Sequence, residues 1–307
     1  MPRTPPELDR VARAQSGVVT HRQLVELGVP ASTVRDRCAK TGPWQSPFPR
    51  VVVLHDGPLS VPQRYWSALL YAAGRSVPLA GPPPETLITG TAALALYRLP
   101  AAPAPEDVRV FDALVPVPRQ VTPLPSVRVL RSRRIPSATR MAHRLPVAPL
   151  LRAAADAARQ EPGMTGALYE IVQARRVPLD ALARELGAVR LAHRADVRAV
   201  LDDLRVGVRS PAEGRARRVL EAEPNLPRPL WNPRLLLDGQ WLADPDAYWP
   251  GHGVLFEVDS ARHHAGVRQW EATMARHNRI QATGLRVLHA SPRQLREQPD
   301  TVVAAVW

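Results

Sequence analysis

Apolar and polar positions follow different periods along the chain, and each change of period predicts an element. Over residues 7–15, Leu8, Val11 and Ala12 fall on one helical face, and Ser16-Gly17 ends that run. Val18-Val19-Thr20 follows, with Thr20 suited to N-cap a second helix over His21–Leu27 that Gly28 stops. Ala31-Ser32-Thr33-Val34-Arg35-Asp36-Arg37 begins a third helix, and after Trp44 the run Arg50–Leu54 reads as β. Pro62–Ala73 is an amphipathic helix bearing Tyr65, Trp66, Leu69 and Leu70, and a short helix is expected over Thr89–Tyr97. Val108–Val110, Leu114–Val117 and Val127–Leu130 read as strands between proline-rich turns. Helices are expected over Val147–Arg159, Gly163–Ala174, Leu179–Leu186 and Val189–Leu204. Ser210-Pro211-Ala212-Glu213 has the grammar of a helix start. Asp238-Gly239, between Trp231–Leu237 and Gln240–Ala243, is a hairpin signal. Val254-Leu255-Phe256 reads as a buried strand, Val267–Thr283 as a helix ended by Gly284, and Arg286–His289 as a last strand. Ser291 suits a helix cap, and Thr301–Val306 closes the chain.

These periods predict an α+β multidomain chain. Three short helices and a two-stranded ribbon over 1–57 describe a winged helix-turn-helix. A mixed α/β middle segment covers 58–158, a helical connector 159–206, and a further α/β domain 207–307. No apolar run approaches the eighteen residues of a membrane span, and no charged-then-apolar leader opens the chain, so a soluble cytoplasmic protein without a membrane role is expected. The single cysteine, Cys38, excludes a disulfide framework and a cysteine-based zinc site.

Charge sharpens the picture. The net charge is +13, but residues 206–307 hold 13 Arg against 11 acids, leaving +11 on positions 1–205. A basic N-terminal two-thirds suits duplex DNA as a partner. All basic residues but Lys40 are arginine, as GC-rich coding favours, yet that bias does not force a shortage of acids. In a winged helix the third helix enters the major groove, which makes Ser32, Thr33, Arg35 and Arg37 candidate DNA contacts. A head that makes only protein contacts is the other reading. Arg131-Ser132-Arg133-Arg134 suits either a phosphate backbone or a solvated sheet edge.

Gly17-Val18-Val19-Thr20-x-x-Gln23-Leu24, Gly28-Val29 and Val34-Arg35 resemble the N-terminal domain of the AbiEi-type antitoxin family. That resemblance implies a DNA-binding transcriptional repressor and a cognate nucleotidyltransferase-like toxin as partner. The wing departs from the family's pattern at Arg50-Val51-Val52-Val53-Leu54, which lacks its glycine.

The chemistry-bearing residues gather later. On a strand, Glu257 and Asp259 point the same way, and like charges held together call for a cation. His263 and His264 follow, Asp244 ends the hairpin, and Glu213 opens a helix. This order resembles the PD-(D/E)XK nuclease superfamily in its very-short-patch-repair-like branch, where a helix Glu, a hairpin Asp and a strand Glu surround a metal ion. The matching residues are Glu213, Asp244 and Glu257, and Glu257-Val258-Asp259-Ser260-Ala261-Arg262-His263 matches that branch's Glu-x-Asp-Gly-x-x-His except at Ser260. The resemblance implies a restriction-endonuclease-like domain binding Mg²⁺ or Mn²⁺ through Asp244 and Glu257, with Glu213, Asp259 and His263 completing a catalytic set. The superfamily's catalytic lysine is missing, and Asp259 stands in its place.

Each residue also has a plainer reading. Glu213 suits a helix dipole, His263 a satisfied structural histidine, and Arg276 with Arg279 a solvated face instead of a grip on carboxylates or phosphate. Two functions therefore stand: a metal-dependent endodeoxyribonuclease with its own DNA-binding head, and a non-catalytic repressor or antitoxin that keeps the nuclease fold as a scaffold.

Overall fold

A computed structural model of the protein describes residues 6–75, 77–137, 139–142, 144–259 and 267–307, with the backbone alone over 267–273. The expected segments group into two compact units, Met1–Ala167 and Leu168–Trp307.

In the first unit α1 (Pro6–Ala14), β1 (Val18–Thr20), α2 (His21–Glu26), α3 (Ala31–Arg37) and β2 (Val51–Val53) come first. Thr20 caps α2 reciprocally: its Oγ1 accepts from the Gln23 amide, while Gln23 Oε1 accepts from the Thr20 amide. Gly28, at φ +84°, ends the turn before α3. The ribbon is β1 with β2, antiparallel, so its first strand precedes α2 instead of following the three helices as expected. Leu8, Val11, Val19, Leu24, Val34, Trp44 and Val52 form the small core beneath.

The chain continues through α4 (Val61–Ala73), β3 (Leu87–Ile88), α5 (Gly90–Leu96), β4 (Phe111–Pro116), β5 (Val127–Ser132), β6 (Arg140–Ala142), β7 (Leu145–Val147) and α6 (Leu150–Gln160). The five strands form one mixed sheet in the order β5-β4-β3-β7-β6. No strand covers Val108–Val110; it starts at Phe111 and runs through Asp112, an acid that the sequence pattern does not mark as interior. Asp112 is fully buried, accepts from the Thr91 amide and lies 3.2 Å from Arg128. Burial pushes its carboxyl up to about 7 against the opposing pull of Arg128.

α7 (Gly166–Gln173) begins at the division between the units, and α8 (Leu179–Ala188), α9 (Ala195–Arg205) and α10 (Pro211–Glu221) follow. α9 starts later than the expected Val189, after Arg190 adopts φ +59°. β8 (Leu230–Trp231), β9 (Leu235–Leu237), β10 (Gln240–Ala243), β11 (Ala247–Trp249), β12 (Val254–Val258), α11 (Val267–Ala282), β13 (Arg286–Ala290), α12 (Gln294–Glu297) and α13 (Pro299–Val306) complete the second unit. Asp238 and Gly239, both at positive φ, turn β9 into β10 as the hairpin signal predicts. That hairpin is a sheet of its own. The four-stranded sheet runs β13-β12-β11-β8, with β12 and β13 parallel and the other pairs antiparallel. Among the described residues no helix is long and apolar enough to cross a membrane.

Candidate functional site

The site forms at the carboxyl end of the parallel pair β12 and β13, the end of open α/β sheets where ligands collect. Register does most of the work. Phe256 faces Ala247 across β12 and β11, so the next pair outward sets Glu257 opposite Asp246. Ala247 faces Trp231 across β11 and β8, and Asn232 N–H donates to the Asp246 carbonyl at 2.9 Å. On the other side Glu257 is in register with His289. Ser210 caps α10 through the Glu213 amide, which fixes Glu213 in its first turn.

Three carboxylates from three separate segments thus meet. Glu213 and Glu257 are buried. Glu213 Oε2 accepts from the Arg209 amide at 2.8 Å and from Asn232 Nδ2 at 2.7 Å. Asp246 Oδ2 accepts from the Val258 amide at 2.7 Å. Burial first, and then the charges of Glu213 and Glu257, push the Asp246 carboxyl up to about 7, although that amide bond pulls the other way.

The strand glutamate is reached from a second side. Arg276 on α11 donates to Glu257 Oε2 at 2.8 Å. His277 Nε2 lies 3.8 Å from the same oxygen, too far for a hydrogen bond. His289 Nδ1 is 2.9 Å from Asp259 Oδ2, and the His277 and His289 rings stack obliquely at 4.9 Å. Glu257, His277 and His289 each offer one ligand atom, all within 4.8 Å of one another, a triad able to hold a metal ion.

Measured against the expected set, Glu213 and Glu257 come together. The expected hairpin carboxylate, Asp244, is exposed and its side chain makes no hydrogen bond or ion pair among the described residues, whereas Asp246 lies beside Glu213 and Glu257. The reason is β11, an unexpected strand that carries Asp246 and not Asp244 to the edge of Glu257. Asp259 is exposed and reaches the site through His289. Arg276 grips a carboxylate, whereas Arg279 is exposed. His263, with His264 and Ser260, lies outside the described residues. His277 and His289 carried no expected role; their signal is the parallel register of two strands joined through a helix.

In the first unit Ser32 and Arg35 are exposed on α3, Thr33 is half-buried, and Val34 turns into the core. Arg37 is half-buried and sets its guanidinium over the Trp44 ring at 4.7 Å. A comparison of the chain with known protein families and with curated proteins finds no match.

Proposed function

We propose that the protein is a DNA-binding, metal-dependent phosphodiesterase whose second unit cuts DNA through the cluster built on Glu213, Asp246 and Glu257. The observation that carries this reading is the meeting of Glu213, Asp246 and Glu257 at one sheet end, where burial, and after it the other two charges, push the Asp246 carboxyl up to about 7. Like charges buried together are costly without a cation. The donors fit one: oxygens from Asp246 and Glu257 suit Mg²⁺ or Mn²⁺, and the imidazoles add nitrogen. A bound ion would supply Lewis acidity toward a phosphate oxygen and lower the pKa of a coordinated water.

The chain's own groups divide the remaining work. Arg276 pins the Glu257 rotamer through Oε2 and leaves Oε1 free. Asn232 and the Arg209 amide hold Glu213 at the rim of the cluster. Asp246 would share the holding of the ion with Glu257, each through one carboxylate oxygen. The basic first unit supplies the grip on duplex DNA, with Ser32, Thr33, Arg35 and Arg37 on α3 as its contacts, in the manner of a winged helix-turn-helix.

A second reading is favoured by a specific feature. The Glu213 and Glu257 carboxylates already have partners in Asn232 and Arg276. In a scaffold without catalysis these contacts serve the fold, and the protein would then be a repressor or antitoxin, with a nucleotidyltransferase-like toxin as partner. Supercoiled plasmid incubated with Mg²⁺ or Mn²⁺ separates the two readings. The nuclease reading expects nicking by the wild type and its loss in Glu257→Gln. Duplex binding without nicking under either ion would leave only the scaffold.

A further inference from the structure

We propose that Glu257, His277 and His289 form a binding site for a zinc-class transition-metal ion, and that Asp259 is a positioning residue for it through His289. This goes beyond the Mg²⁺ or Mn²⁺ reading by assigning Glu257 and the two histidines a different ion class, and it stands or falls apart from DNA cleavage.

Two atoms of the triad are buried without a hydrogen-bond partner among the described residues: Glu257 Oε1 and His277 Nε2. Buried polar atoms are normally satisfied, and two orphans within one triad ask for an explanation. An ion pair between them does not provide it. Their side chains stand 3.8 Å apart at the nearest oxygen, and Arg276 already neutralises Glu257. A neutral imidazole and a carboxylate oxygen, both unpaired, are the forms that metals bind.

The third ligand is prepared for the same task. Asp259 Oδ2 beside His289 Nδ1 holds the proton on that nitrogen and leaves the Nε2 lone pair available. Carboxylate–histidine–metal relays use this arrangement to fix the tautomer and ring orientation of a ligating histidine. Asp259 thereby acquires a role that its exposed position does not otherwise explain.

The donor set selects the ion. Mg²⁺ demands oxygen ligands and keeps its waters, whereas two imidazoles and one carboxylate suit zinc, cobalt or nickel. At a metal–ligand distance of about 2.1 Å, tetrahedral ligand atoms lie about 3.4 Å apart. The triad's span of 4.8 Å closes to that with side-chain adjustments of about an ångström. Three protein ligands leave a position open for water or a phosphate oxygen, as in catalytic rather than structural sites.

The test uses the full chain stripped with EDTA. Co²⁺ is added while the visible absorption of tetrahedral cobalt is followed, and Zn²⁺ and Mg²⁺ are titrated by calorimetry. The proposal expects one equivalent of Co²⁺ or Zn²⁺ at micromolar affinity or tighter, undisturbed by millimolar Mg²⁺. Asp259→Asn should weaken binding by about 10–100-fold. His277→Gln and His289→Gln should abolish the cobalt spectrum while circular dichroism reports the fold intact. Binding of Co²⁺ and Zn²⁺ no tighter than that of Mg²⁺, or both glutamine variants binding like wild type, would overturn it. Should both variants fail to fold, Asp259→Asn decides alone, since its side chain is exposed. A protein that takes up Co²⁺ but cuts no DNA keeps this site and sinks the nuclease reading. One that ignores Co²⁺ yet cuts DNA with Mg²⁺ does the reverse.

Discussion

Replacing Asp246 with asparagine should make the metal-free protein more stable at alkaline pH, although it removes a charged residue from a candidate active site. The carboxyl is pushed from 3.8 to about 7 by burial and by the charges of Glu213 and Glu257. A folded-state value above the unfolded one means that the native protein holds the extra proton. Asp246 therefore favours folding below pH about 4, and that contribution is lost as pH rises through about 7. A gap of about three pKa units at about 1.4 kcal/mol each sets the total at about 4 kcal/mol at most. Asparagine mimics the protonated form and can still accept from the Val258 amide. The variant and wild type should thus be close in stability at pH about 4.5 and differ by up to about 4 kcal/mol in the variant's favour at pH about 8. Urea unfolding of EDTA-treated protein at both pH values measures this. Asp112, also raised to about 7, titrates in both proteins and cancels from the difference. An identical gap at the two pH values, or a variant less stable than wild type at pH 8, would refute the electrostatic reasoning.

Arg35→Ala should weaken duplex binding and reduce its salt dependence by about one counterion, as read by fluorescence anisotropy across a salt series, without lowering the melting temperature. Arg37→Ala should weaken binding similarly and also cost some stability, because the guanidinium rests on Trp44. Gly90→Ala should destabilise the first unit in thermal melts by about 1–3 kcal/mol or more, since the backbone there is at φ +57° and the new Cβ would fall 2.4 Å from Asp112 Oδ2.

Local chemistry was legible in the sequence, and long-range register was not. Thr20, Gly28, Ser210, Asp238-Gly239 and Gly284 mark caps and turns whose causes lie within a few residues, and they stand where such signals predict. Glu213 and Glu257 were legible because each ends or opens a strongly patterned element. β11 was not: Ala247-Tyr248-Trp249 is too short to show alternation and is flanked by Pro245 and Pro250. Without it Asp244, at the hairpin exit, was the natural choice over Asp246. Likewise, nothing local links Glu257 to His289. Their meeting depends on the parallel pairing of β12 and β13 across the intervening α11. Asp112 hid the first residues of β4, whose later part was legible from Leu114, since a buried acid looks like a turn until Thr91 and Arg128 are found beside it.

The most direct test of the metal-centred site compares single-turnover cleavage of a plasmid with Mn²⁺ by wild type, Asp244→Ala, Asp246→Asn and Glu257→Gln. Asp246→Asn should lose most of its cleavage, because the ion loses a charged oxygen ligand. Glu257→Gln should fall at least as far, while Asp244→Ala should cut at the wild-type rate. Full activity in Asp246→Asn together with loss of activity in Asp244→Ala would contradict the account.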